Sequence, residues 1–187
     1  MKKLLFINAC TSNHHPSRTK YLCKAYLEKM RANYEIEEIN LDEIRLMPLT
    51  KEQLDFRDQC VAQEDYSDPF FTYARKMVIA DRIVIGAPYW DLSFPSALKV
   101  FIEHIMVNGL TFYYEDNQPH GLCNADKLVF IMSAGGFLPV NDMATSYVSA
   151  IAHMIGVRDN ETYCAQGLDV EGADVKAILE DSIDIME

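Results

Sequence analysis

RIVIGAPYWDLSFP, residues 82–95, is the stretch on which the fold turns. Ile83, Val84 and Ile85 are consecutive, β-branched and apolar, so this segment has no polar face to give to water. A strand of that kind is covered on both sides, and such strands belong to parallel sheets flanked by helices. The run stops at Gly86-Ala87-Pro88, and a loop then carries Tyr89, Trp90 and Asp91. Pro95 opens a helix to about Val107, with Leu98, Phe101, Ile102 and Ile105 on one face. The only tryptophan of the chain therefore leaves the carboxyl end of a buried strand on a loop, beside a carboxylate.

Outward from this unit the pattern recurs. KLLFINA (3–9) and KLVFIMS (127–133) are equally continuous apolar runs, YEIEEIN (34–40) alternates as a strand nearer a sheet edge does, and ETYCA (161–165) is a fifth strand. Helices are expected from Ser17 to about Ala32, around Lys51–Cys60, from Pro69 to Ala80, from Asn141 to Ile155 and over the acidic tail. TFYYEDNQPHG (111–121) reads as an extended aromatic arm. Five strands alternating with helices predict one α/β domain over residues 1–187, a doubly wound parallel sheet with helices on both faces. Such sheets bind ligands beyond the carboxyl ends of their strands. Three loops of unusual composition leave those ends: 9–19, 88–94 and 133–138.

The totals exclude several classes. A formal net charge of −11 argues against nucleic-acid binding and against an anionic membrane surface. No segment approaches 18 apolar residues, so no membrane span is expected, and the apolar run in MKKLLFINAC is too short for a secretory signal. Five scattered cysteines without a CxxC pair predict free thiols in a reducing cytoplasm. No metal is expected: His14 and His15 are adjacent, which is poor spacing for one ion, and no third ligand is evident.

In the first loop, Ser17, Arg18 and Thr19 stand where a helix begins. Two hydroxyls, a guanidinium and free backbone N–H groups make a phosphate cradle there, although a plain serine cap explains Ser17 equally well. Neither GxGxxG nor GxxxxGK[ST] is present, which disfavours a dinucleotide fold and a P-loop. Trp90 is either a flat wall for a ligand or a side chain tucked under the following helix. Asp91 is either a carboxylate near that ligand or a side chain that points to solvent or caps the helix at Pro95. Gly135-Gly136 either allows close backbone approach to a ligand or is an ordinary turn. A phosphate cradle, an aromatic wall and a Gly-Gly edge at one end of one sheet suit a planar cofactor with a terminal phosphate, and FMN is such a molecule.

APYWDLSFPSALKVFIEHIMVNGLTFYY (87–114), DNQPHGL (116–122) and KLVFIMSAGG (127–136) resemble the flavodoxin-like NAD(P)H:quinone oxidoreductase and FMN-dependent NADH-azoreductase family. The family shows Pro-x-Tyr-Asn, Gly-x-Thr-Phe-x-Tyr, Gly-Pro-x-Gly-Leu and Ser-x-Gly-Gly in that order. The resemblance implies a flavodoxin-like sheet of strand order 2-1-3-4-5 and FMN held by Cys10, Ser17, Arg18 and Thr19 at its phosphate. It places Pro88, Tyr89, Trp90, Asp91 and Leu92 along the ring, mostly through backbone groups, and Ser133, Ala134, Gly135 and Gly136 at its pyrimidine edge. Phe112 and Tyr114 fall on the arm that walls the substrate pocket, with Tyr114 a candidate proton donor. Cys10 stands for a usual serine, Asp91 for an asparagine and Ala134 for an arginine of many members.

The implied activity is ping-pong hydride transfer from NADH or NADPH through FMN to a quinone, azo or nitro compound. A non-enzymatic FMN electron carrier and a flavin-less binding module are the alternatives. A homodimer is expected, its apolar surface assigned to helix 95–107 and arm 111–120 through Phe101, Ile102, Phe112 and Tyr113.

Overall fold

The computed structural model describes residues 1–11 and 16–186. Five strands form one parallel sheet: β1 (Lys2–Asn8), β2 (Tyr34–Asn40), β3 (Arg82–Gly86), β6 (Lys127–Ser133) and β7 (Asp159–Ala165). Their spatial order is β2-β1-β3-β6-β7, which is 2-1-3-4-5 when only these five strands are counted. The remaining two, β4 (Phe112–Glu115) and β5 (Gln118–Gly121), pair antiparallel with each other. The arm expected over 111–121 is thus a closed hairpin. Its two-residue turn, Asp116 and Asn117, takes left-handed φ values of 51° and 60°, the geometry that matches strand twist and that Asp and Asn tolerate.

The helices are α1 (Arg18–Met30), α2 (Leu41–Ile44), α3 (Lys51–Ala62), α4 (Thr72–Ile79), α5 (Ser96–Ile105), α6 (Met143–Met154) and α7 (Val175–Asp184). A 3-10 turn at Pro69–Phe71 leads into α4, so proline starts this element as expected but not as α-helix. α2 is four residues long, too short to leave a periodic signature in the sequence.

Successive residues of a strand point to opposite faces, and both faces of this sheet are covered. Leu5, Ile7, Ile83, Ile85, Leu128, Phe130 and Met132 face the layer that holds α4, α5 and α6. Leu4, Phe6, Val84, Val129 and Ile131 face α1, with α7 beside it. This double covering is why the central runs show no alternation. β2, at the edge, buries only Tyr34 and Ile39, one on each face, and exposes its glutamates. α3 buries no residue, and a capping box holds its start instead. Thr50 N–H donates to Gln53 Oε1 (3.0 Å), and Gln53 N–H donates to Thr50 Oγ1 (3.3 Å). No helix among the described residues is long and apolar enough to cross a membrane.

Candidate functional site

Strand register sets the three loops at one level. Asn8 of β1 is paired with Gly86 of β3, and Gly86 with Ile131 of β6. β6 runs on to Ser133, opposite Ala165 of β7. Beyond these ends lies a cavity of about 400 Å³, within the range of small-molecule sites. One wall is Thr11, Pro16 and Ser17–Thr19, another is Pro88–Trp90, and the third is Ser133–Gly135 with Leu168 and Asp169.

At the first wall, Ser17 is the N-cap of α1 and its Oγ accepts from Lys20 N–H (3.1 Å). The cap and the cradle are compatible, because capping uses an oxygen lone pair and leaves the hydroxyl proton to donate. The N–H groups of Arg18 and Thr19 have no partner among the described residues, as the first turn of a helix dictates. Thr19 is buried, and its Oγ1 lies 2.7 Å from Ser133 Oγ, which ties the first wall to the third. Thr19→Val keeps the shape and strands the Ser133 hydroxyl, so it is expected to cost about 1–2 kcal/mol of stability in urea unfolding. An unchanged midpoint would show that the hydroxyl pair does not hold the walls together.

At the second wall, Tyr89 N–H donates to Ser133 O (3.0 Å). Trp90 and Ser93 exchange two backbone hydrogen bonds of 3.0 and 2.8 Å. The amides of Tyr89 and Trp90 are therefore used within the fold, so the expected backbone contact of this loop with a ring does not come from those two donors. Trp90 is 47% exposed and stands at the cavity rather than beneath α5. The Tyr89 hydroxyl is enclosed without a hydrogen-bond partner among the described residues, and burial pushes its pKa up. The turn residues Asp91 and Leu92 have φ of 49° and 65°. Asp tolerates that region, whereas a bulky leucine is strained there. Leu92→Gly should therefore stabilise the protein by about 1 kcal/mol, read as a rise in thermal midpoint. A fall would mean that the leucine side chain contributes more than its backbone loses. Asp91 is no helix cap, since Pro95 holds the N-cap position of α5 and no side chain bonds there.

The third wall is the most completely accounted for. Ala134 N–H donates to Ala165 O (2.8 Å), and the carbonyls of Ala134, Gly135 and Gly136 accept from Leu168, Asp169 and Gly167. The N–H groups of Gly135 and Gly136 have no partner among the described residues. Across the cavity, Arg18 Nη1 pairs with Asp169 Oδ1 at 2.7 Å.

Nine of the residues singled out in the sequence thus come together: Ser17, Arg18, Thr19, Pro88, Tyr89, Trp90, Ser133, Ala134 and Gly135. The others do not line this cavity. The Cys10 side chain is buried, and a Cβ placed on Gly86 would run into the sulfur of Cys23 and lie 3.2 Å from that of Cys10. The missing side chain of Gly86 leaves room for these two sulfurs inside the sheet–helix layer. Asp91 and Leu92 sit at the turn tip, and Gly136 lies one residue beyond the wall. Phe112 is buried and meets Tyr114 edge-to-face at 5.7 Å. Tyr114, 58% exposed, lines a different cavity of about 480 Å³ with Tyr66 and Tyr113.

The dimer surface drawn from the sequence needs correction. Phe101, Ile102 and Phe112 are buried within one copy of the chain, because the apolar face of α5 is spent on the sheet. Leu168 and Asp169 were absent from the sequence reading. They follow the fifth strand, whose GLD loop carries no aromatic or Gly-Gly signal but leaves the same end of the sheet.

Burial pushes the thiols of Cys123 and Cys164 up to about 12 and raises that of Cys23, so none of these three is a thiolate at neutral pH. The described residues that line the cavity include no acid–base dyad. No group of three His, Cys, Asp or Glu side chains among the described residues is placed to hold a metal, and His14 and His15 lie outside the described residues.

A family model described as flavodoxin-like fold matches residues 2–187. The chain is 34% identical over 194 residues to an FMN-dependent NADH:quinone oxidoreductase of Clostridium perfringens, covering 98% of this chain and 96% of the relative. It is 34% identical over 196 residues to FMN-dependent NADH:quinone oxidoreductase 2 of Clostridium acetobutylicum, with the same coverage of 98% and 96%. Among solved structures, an azoreductase from Bacillus anthracis str. Sterne superposes with a TM-score of 0.83 at 21% identity, covering 98% of this chain and 96% of that one. An FMN-dependent NADH-azoreductase from B. anthracis str. Ames Ancestor, in complex with FMN, gives 0.81 at 22% identity, covering 98% and 95%. At these identities the structures speak for the fold.

Proposed function

The chain belongs to the family of the FMN-dependent NADH:quinone oxidoreductases, on the flavodoxin-like fold, and from that membership we propose that it is itself such an enzyme. The observation that carries this reading is one cavity with chemically distinct walls. A helix N-terminus with Ser17 and Arg18 forms one, Pro88–Trp90 forms another, and the third carries the unpartnered N–H group of Gly135, with that of Gly136 one residue beyond.

Those residues fit FMN. Ser17, the Arg18 guanidinium and the first amides of α1 would hold the phosphate, with the positive end of the helix dipole behind them. Trp90 and Pro88 would cover the ring, and the two glycine N–H groups would stabilise negative charge that grows at its edge. Bound FMN supplies the two-electron chemistry, from NADH or NADPH to a quinone, azo or nitro acceptor. The chain itself orients the reactants, excludes water and aims fixed dipoles. The chemistry asks for no strong acid or base from the chain.

The assembly we propose is a homodimer. Trp90 and Leu92, with Phe137 and Met143 of the segment after β6, are exposed apolar residues around the cavity, more than a monomer comfortably shows. In such a dimer the exposed Tyr114 of one copy is available to wall the partner's cavity, which its own copy does not do. A cytoplasmic setting accords with five free cysteines.

Equilibrium binding tests the cofactor reading. FMN is expected to bind at least about tenfold more tightly than riboflavin, the margin of one charge-assisted phosphate contact. Equal affinity for the two would remove the phosphate cradle.

A further inference from the structure

Among the described residues, two charged side chains line the cavity, and they face each other across it. Arg18 stands in the first turn of α1, and Asp169 comes 151 residues later, after β7. Their contact is a single hydrogen-bonded ion pair of 2.7 Å. The backbone of Asp169 is firmly held: its N–H donates to Gly135 O (2.9 Å), between the bonds from Gly167 to Gly136 O (2.9 Å) and from Leu168 to Ala134 O (3.2 Å). The carboxylate lies directly over Gly135, where a Cβ would run into it. A loop with a fixed backbone thus carries an anion to the one guanidinium among the described residues of the cavity wall.

We propose that Asp169 is an internal competitor for the cofactor phosphate, so that it sets the affinity and exchange of FMN. This inference rests on the FMN reading given above. A phosphate at the start of α1 needs the Arg18 guanidinium, and Asp169 already holds part of it. The carboxylate also repels a dianion arriving nearby, in a chain whose net charge is −11. Both effects weaken phosphate recognition and neither acts on an uncharged ligand. Asp169 therefore narrows the preference for FMN over riboflavin without abolishing it.

The test is fluorescence titration of the wild type, Asp169→Asn and Arg18→Gln with FMN and with riboflavin at low ionic strength. Asp169→Asn keeps the side-chain shape and all three backbone bonds. It should bind FMN about two- to fivefold more tightly than the wild type, the range of a partly exposed charge pair, with riboflavin unchanged. Arg18→Gln should weaken FMN binding more in the Asp169→Asn background than in the wild type, because the competitor is then gone. If the wild type binds FMN and Asp169→Asn binds it equally or more weakly, the competitor is refuted while the flavin reading stands. If neither protein takes up FMN, both fall.

Discussion

Gly121→Ala is expected to destabilise the protein by about 4 kcal/mol, at the extreme of single substitutions. At this chain length that lowers the thermal midpoint by roughly 10 °C. The reason is a backbone crossing. A Cβ at Gly121 would be driven into the backbone of Ile155 and Gly156, where the hairpin β4–β5 lies on the carboxyl end of α6. No rotamer relieves a clash with main chain, so the hairpin must lift away or α6 must shift. The partner glycine makes the control. Gly156 has a φ of +96°, and a Cβ there would meet Gly121 Cα at 3.1 Å, which is tight but survivable. Gly156→Ala should therefore cost only about 1–2 kcal/mol, mostly from its left-handed backbone. Urea unfolding of the two variants settles the order, and equal or reversed losses would show that the crossing yields.

Gly86→Ala is the second large effect, and it joins the fold to the site. A Cβ at Gly86 would run into Cys23 Sγ and would lie 3.2 Å from both Cys10 Sγ and Phe6 Cε2. Cys23 is fully buried on α1, the helix whose first turn forms one cavity wall. Overpacking here should cost about 2 kcal/mol and weaken FMN binding as α1 is pushed off the sheet. Removing the obstacle should rescue it. Cys23→Ala alone leaves a small void costing about 1 kcal/mol, and the double variant Gly86→Ala/Cys23→Ala should be no worse than that. Simple additivity of the two losses, measured by the same unfolding, would contradict this packing.

The same two glycines show where sequence reading succeeds and where it stops. Ile83–Ile85, Leu4–Ile7 and Leu128–Met132 announce a doubly covered sheet because each strand must satisfy two cores, and that requirement is written in consecutive residues. Gly121 and Gly86 read only as turn or strand-end residues, because the atoms that exclude a side chain come from distant parts of the chain. The first, second and third loops were legible as a ligand site, since hydroxyls, aromatics and paired glycines at strand ends are locally unusual. Asp169 was not, because its meaning lies in a contact with Arg18 far away in sequence. Phe101 and Ile102 are core and not dimer surface for a related reason. An amphipathic helix shows that one face is apolar and not which partner covers it.

Cys10 makes the point in chemistry. At the start of the phosphate loop it reads as a substitute for a hydroxyl, yet its sulfur packs inward with Cys23 over Gly86. Its N–H donates to Asn8 Oδ1 (2.9 Å) just past β1, and the hydroxyl pair Thr19–Ser133 and the cap at Ser17 hold that end of the cavity instead.

The central claim is that this one chain, loaded with FMN, moves two electrons from a nicotinamide to a quinone. Its most direct test is anaerobic absorbance spectroscopy of the FMN-loaded protein, adding NADH and then a simple benzoquinone. The account predicts that NADH bleaches the visible flavin band and that the quinone restores it, repeatedly and with no second protein present. A band that NADH leaves unchanged, or that is bleached only when a separate reductase is supplied, would contradict it.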